Sequence, residues 1–285
     1  MTYQVVAIMK ELNNMKIYRF SAILLLLINF SCVKENQNKT NWSYQTEIQL
    51  DNINPIGITS FQNNLWISDS DHNRVIAINK QGEILKTIDS LDRPMHIDAS
   101  SSSIYVPQYG NDIIAVINNN KILNLSTKDS LDAPAGISIF NNEKAIADFY
   151  NHRILFFNGN NWISFGKEGK LNGEFYYPTD VQITDNKIYV ADAYNNRVQV
   201  FDKKGKFLQK IGEEQNLNAA TGIYVSKESI FVTDFENNRV LVFDFTGKLK
   251  QEIIDNIEKP TDLYIFKEQL YILNYRKKTI NIYKK

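Results

Sequence analysis

The stretch "ADAYNNRVQVFD", Ala191 to Asp202, sets an acid, two asparagines and an arginine in fixed order between two apolar runs. Nearly the same order recurs in "SDSDHNRVIAIN" from Ser68, "ADFYNHRILFFN" from Ala147 and "TDFENNRVLVFD" from Thr233. The apolar flanks alternate or run short, as half-buried and buried strands do, so each stretch reads as a hairpin between two strands. The acid ends one strand and the arginine begins the next. Asp69/Arg74, Asp148/Arg153, Asp192/Arg197 and Asp234/Arg239 can therefore face each other across their loops. The carboxylate accepts turn N–H groups and the guanidinium binds it through two donors. Asn195 and Asn196 suit the left-handed backbone of a tight loop. One device repeated at one structural position argues for a staple rather than a catalytic site.

Each hairpin follows a Pro-led run: "PIGITSF" from Pro55, "PMHIDAS" from Pro94, "PAGISIF" from Pro134, "PTDVQIT" from Pro178 and "PTDLYIF" from Pro260. A further copy, "ATGIYVS", begins at Ala220 with Ala in place of Pro. The spacing is about 40 residues, with four short β-runs in each interval, which marks a propeller blade. The reading is all-β: a six-bladed β-propeller of four-stranded blades over residues 43–285. In the blade that begins at Pro178 the strands are expected at Pro178–Thr184, Lys187–Ala191, Val198–Phe201 and, after the "DKKG" turn, Lys206–Ile211. The last repeat stops after its third strand, while Tyr44 to Leu50 ("YQTEIQL") precedes the first Pro where an outer strand belongs. That N-terminal strand is expected to complete the last blade and remove the open edge.

The repeats resemble NHL repeats, and the chain resembles six-bladed NHL-type propellers across that range. Two repeats depart from the pattern: "PQYGNDI" (Pro107 to Ile113) and "LNYRKKT" (Leu273 to Thr279) lack the Asp–Arg pair. Their hairpins are expected to be less firmly pinned, or reshaped for a use.

The 285 residues carry no formal net charge, so no basic excess exists to neutralise phosphates, and nucleic acid is not an expected partner. The cluster of Arg276, Lys277, Lys278, Lys284 and Lys285 reads as a solvated turn and tail. Lys16 and Arg19 precede the apolar run "FSAILLLLINF", Phe20 to Phe30, which is followed by Ser31 and Cys32. Its 11 residues would rise only about 16 Å as a helix, too short to span a bilayer, so residues 1–31 read as a secretory signal. Met15 is a better start for that signal than Met1. Cys32 is the single cysteine, so no internal disulfide is available. A lone cysteine closing a signal core resembles the lipobox of bacterial lipoproteins, although the usual Leu three residues earlier is missing. The resemblance implies cleavage before Cys32, acylation of its thiol, a tether over 32–42 and a protein held at a bacterial membrane, on the periplasmic or the cell-surface side.

Two regions could carry function. On the inner strands, Ile58, Ile97, Ile137, Val181, Ile223 and Leu263 are expected to pack between blades. Their predecessors Gly57, His96, Gly136, Asp180, Gly222 and Asp262 would then point toward the central channel. His96, Asp180 and Asp262 fall on alternate blades, with Asp98 nearby, and could ligate a divalent cation. Otherwise they form a wet polar channel, and no other cofactor is expected. The NHL-type lyase that cleaves peptidyl-hydroxyglycine uses a zinc held by several histidines. Here His72 and His152 lie in hairpins and only His96 has a channel position, which counts against that chemistry. Six-bladed calcium lactonases are a looser likeness, supported only by the two aspartates. The hairpin loops, in contrast, are aromatic: Tyr109, Phe149, Tyr150, Tyr194, Phe235 and Tyr275, with Arg276, Asp71 and Glu236 beside them. They predict a ligand face for a protein, peptide or glycan, on a monomeric, non-catalytic binding module. The alternative is a metal-dependent lyase or hydrolase working in the channel.

Overall fold

A computed structural model describes residues 41–119 and 121–285. Within them the chain forms six four-stranded antiparallel sheets in a closed ring. The blade that begins at Pro178 shows the plan, with strands Pro178–Ile183, Lys187–Asp192, Arg197–Asp202 and Phe207–Ile211 hydrogen-bonded in sequence order. Its outer turn forms as expected. Asp202 Oδ1 accepts the N–H groups of Lys204 and Lys206, while Gly205, at a φ of +79° open to glycine, donates to the Asp202 carbonyl.

Closure is made by Ser43–Gln49. This strand pairs antiparallel with Thr279–Lys284, from Ser43 opposite Lys284 to Gln49 opposite Thr279, and supplies the outer strand of blade six. The sequence boundary needs one adjustment. Trp42, assigned to the end of the tether, is buried against Phe231, and its backbone N–H and carbonyl both bond the Gln251 amide. The expected signal segment, Cys32 and the tether up to Thr40 lie outside the described residues.

Central strands are apolar along most of their length because both faces of a blade are covered by its neighbours. The core divides into six apolar clusters, one at each blade interface. Ile58, Ile67 and Ile76 pack on Leu273 and Ile280 where blades one and six meet. Tyr189, Val198 and Val200 pack on Ile223, Val232 and Leu241 between blades four and five. All six apolar inner-strand residues read from the sequence are buried in this way.

Blade two differs from expectation. Its inner strand is only Asp98–Ala99, because Pro94 and His96 make isolated bridges, the latter parallel to Gly136 of blade three. The residue before the inner run that begins at Pro94, Pro134, Pro178, Ala220 or Pro260 has positive φ (Arg93, Ala133, Tyr177, Ala219, Lys259). Each donates its N–H to a side chain at the hairpin end of the preceding blade: Asn73, Asp112, His152, Asn196 and Asn238 in turn. These acceptors are also left-handed, so the turn residue that reverses one blade latches the entry to the next.

Candidate functional site

The Asp–Arg hairpins are built as staples, with one correction to the expected geometry. In all four, the arginine Nε donates to the aspartate Oδ2, at 2.8 Å for Arg74–Asp69, 2.7 Å for Arg153–Asp148, 2.8 Å for Arg197–Asp192 and 2.6 Å for Arg239–Asp234. The contact is single, not two-pronged. The Nη2 of each guanidinium reaches carbonyls of the segment that enters the blade, Asn52, Ser130 and Gln215 in blades one, three and five and Leu171 and Glu174 in blade four, where Nη1 adds Lys170; Arg239 Nη1 instead donates to Glu252. Each Oδ1 accepts a backbone N–H from the same segment, of Asn54, Asp132, Tyr176 or Asn218. Burial raises the carboxyl pKa of Asp148 and Asp192 even against these partners. Blades two and six keep half of the device: Gln108 and Asn274 accept the N–H groups of Asp92 and Glu258 through their amide oxygens.

The channel is shaped by an alternation of glycine and side chain around the ring. A Cβ on Gly57 would lie 2.6 Å from the Met95 carbonyl oxygen, on Gly136 2.7 Å from that of Thr179, and on Gly222 2.5 Å from that of Thr261. Odd blades therefore admit no side chain there, and even blades contribute His96, Asp180 and Asp262, all buried. The two carboxylates also clasp the next blade. Asp180 Oδ2 accepts Ile223 N–H at 2.9 Å and Asp262 Oδ2 accepts Ile58 N–H at 2.9 Å, while each Oδ1 accepts the following N–H of its own strand. In blade two that clasp falls to Asp98, whose Oδ2 accepts Ile139 N–H at 2.6 Å. The channel position itself is left to His96.

His96 Nδ1 lies 3.4 Å from Asp262 Oδ2 and 3.9 Å from Asp180 Oδ2, yet has no aligned hydrogen bond. Burial by itself lowers the imidazole pKa, but Asp180 and Asp262 outweigh it and the net shift is upward. Burial raises the Asp180 carboxyl, partly offset by His96. Burial also lifts Asp98 to about 6. The channel void is about 30 Å³, room for an ion and a water or two. It shares Asp98, Gln182, Tyr224 and Tyr264 with an open cleft of about 700 Å³ on the face opposite the hairpins, a feature with no sequence signal.

The hairpin face carries a continuous aromatic cluster across blades two, three and four. Tyr109 packs on Phe149 and Tyr150, with ring centres 5.6 and 5.7 Å apart, and the Arg93 guanidinium lies 4.6 Å from the centre of its ring. Phe149 stacks on Tyr177 at 4.8 Å, and Tyr177 meets Tyr194 at 5.1 Å and Tyr176 at 4.5 Å. His152 lies parallel to Tyr176. Tyr150 and Tyr194 remain 48% and 61% exposed. Burial holds the phenols of Tyr109 and Tyr177 above their ordinary pKa, so they are neutral donors and acceptors.

The structure thus brings Tyr109, Tyr150 and Tyr194 together. Phe235, Tyr275 and Arg276 stand apart: Phe235 lies under the Lys259 ammonium, Tyr275 donates its hydroxyl to Asp71, and Arg276 is exposed. Tyr176 and Tyr177 are cluster members that the hairpin motif does not contain. "FYYP" before Pro178 was their signal, since an inner strand starts at the end of the blade where the hairpin turns.

Comparison with known proteins agrees with the architecture. The model of the DUF5128 family, described as a 6-bladed beta-propeller, matches residues 172–283. No curated protein matches the sequence significantly. Among solved structures the chain is similar to a streptogramin B lyase, with 16% identity and a TM-score of 0.65 over 86% of this chain and 98% of that one. A catalytically inactive virginiamycin B lyase from Staphylococcus aureus, solved with quinupristin, aligns at 16% identity and a TM-score of 0.64 over 86% of this chain and all of the other. A computationally designed protein, Ika8, aligns at 13% identity and 0.52, over 80% and 70% of the two chains. Identities this low speak to the fold alone.

Proposed function

We propose that this chain is an exported, lipid-anchored propeller of NHL type that acts as a monomeric binding module, taking a protein, peptide or glycan on its hairpin face. The observation that carries the reading is the aromatic cluster, six rings contributed by three blades with two of them turned to solvent. Contiguous exposed aromatics on a stable surface mark interaction sites. Here Tyr150 and Tyr194 are held from below by Phe149 and Tyr177, so little rotamer freedom is lost when a ligand stacks on them. Neutral hydroxyls at the rim can bond sugar hydroxyls or peptide amides. The enzymatic alternative has less support, because no nucleophile–base pair accompanies His96, Asp180 and Asp262 among the described residues that line the channel void.

The test is a screen of the full chain against immobilised glycans and peptides, with each hit titrated against Tyr150→Ala and Tyr194→Ala. Affinity should fall by about tenfold or more in both, as for buried anchors at an interface, with little change in melting temperature. Hits that bind both variants as well as the original chain would place the ligand elsewhere.

A further inference from the structure

Outside the aromatic face, one group of side chains has the composition, spacing and burial of a metal centre. His96, Asp180 and Asp262 each present one ligand atom, all within 4.8 Å of one another. Two ligand atoms on a tetrahedral ion about 2.05 Å away stand roughly 3.3 Å apart. His96 Nδ1 stands 3.4 Å from one carboxylate oxygen and 3.9 Å from the other. Among the described residues, Nδ1 is also the buried side-chain nitrogen or oxygen that lacks a hydrogen-bond partner.

We infer that the channel binds a single divalent metal ion, zinc being the best match, through His96 Nδ1 and one oxygen each from Asp180 and Asp262. One imidazole with two carboxylates is a borderline-hard set that suits zinc or manganese better than thiolate-seeking metals. The ion's charge balances two carboxylates that line one void. It also gives the orphaned imidazole nitrogen a partner. The surroundings support the ligands, since backbone N–H groups of Ile223, Val181, Ile58 and Leu263 fix both carboxylates, as outer-shell bonds do in metal sites. The void leaves room for a solvent ligand, and the lining it shares with the opposite cleft offers a path in. Bound there, the ion ties blades two, four and six together at the axis. This inference stands independently of the aromatic face.

The experiment is elemental analysis of the full chain purified without chelator, then calorimetric titration of chelator-treated protein with zinc chloride and with manganese chloride. One ion per chain is expected, with a melting temperature that falls on chelation and recovers on refilling. Cobalt should give visible d–d absorption. His96→Ala should weaken binding by about 100-fold or more, beyond the 10- to 100-fold that loss of an outer-shell partner brings. Because that variant keeps both inter-blade carboxylate clasps, its folding is a fair control. Asp180→Asn should weaken binding as well. A manganese site that disappears in His96→Ala also supports the inference. It is overturned if neither metal saturates at one per chain, or if His96→Ala binds with unchanged affinity and stoichiometry.

Discussion

Blade four and blade six close equivalent hairpins with different chemistry. In blade four the Asp192 carboxylate collects Tyr176 N–H, Arg197 Nε, Asn195 Nδ2 and Gln199 Nε2, and Arg197 spreads over three carbonyls of segment 166–177. In blade six Asn274 takes one N–H, from Glu258, and gives its amide to Thr279, with no charge involved. The entering segment there is the shorter 254–259. What recurs in both is a side-chain oxygen that receives the N–H two residues before the inner strand. The ion pair is an addition: in blade four it fastens a long entering segment, and in blade one the Asp69–Arg74 pair holds the short segment 50–54 through the Asn52 carbonyl. Blade four is also continuous in sequence, whereas blade six borrows its outer strand from Ser43–Gln49.

The largest effect should come from breaking that loan. Deleting residues 43–49 from the full chain removes the buried Ile48 and the whole ladder to Thr279–Lys284. It also exposes an apolar strand edge. A loss of about 5 kcal/mol or more is expected, comparable with the whole stability of an ordinary domain, so thermal unfolding should become broad or disappear. A deletion variant that melts like the intact chain would show that blade six is complete without its fourth strand.

Next comes Asp192→Ala, which leaves the buried Arg197 without its counter-charge and Tyr176 N–H without its acceptor. Removing one partner of a buried pair costs about 3–5 kcal/mol, read by chemical denaturation. Because Tyr176 and Tyr177 sit on the entering segment, this variant should also loosen the aromatic face. Unchanged stability would reduce the staple to decoration.

How much of this was open to a sequence reader follows from what repeats. Blade number, strand order, the closing strand and the Asp–Arg positions all recur at about 40 residues, and each was legible from that period. The alternation of Gly57, Gly136 and Gly222 with His96, Asp180 and Asp262 was legible too, because inner strands keep a period of two. The entering segments do not repeat in length or composition, so the carbonyl contacts of Arg197 and the membership of Tyr176 and Tyr177 lay outside the periodic signal. The short inner strand of blade two was hidden for another reason. Its apolar pattern and register survive while the clasp moves two residues along the strand, so that Asp98 holds Ile139 where the aspartates of blades four and six hold Ile223 and Ile58.

The smallest effect, and the sharpest comparison, is Asn274→Ala. Truncation leaves Glu258 N–H and Thr279 Oγ1 without their amide partner but strands no charge. A net loss of about 1–2 kcal/mol is expected, well below that of Asp192→Ala in the same denaturation assay. If the two variants cost the same, the ion pair adds nothing beyond the single accepted N–H, and the extra contacts of Arg197 are incidental. If Asn274→Ala costs nothing, the shared oxygen is not what holds the entering segment, and the left-handed latch from Asn238 to Lys259 N–H must carry blade six alone. The expected ranking, with both losses measurable and the charged site the larger, is the one that makes the oxygen the common device and the guanidinium its reinforcement.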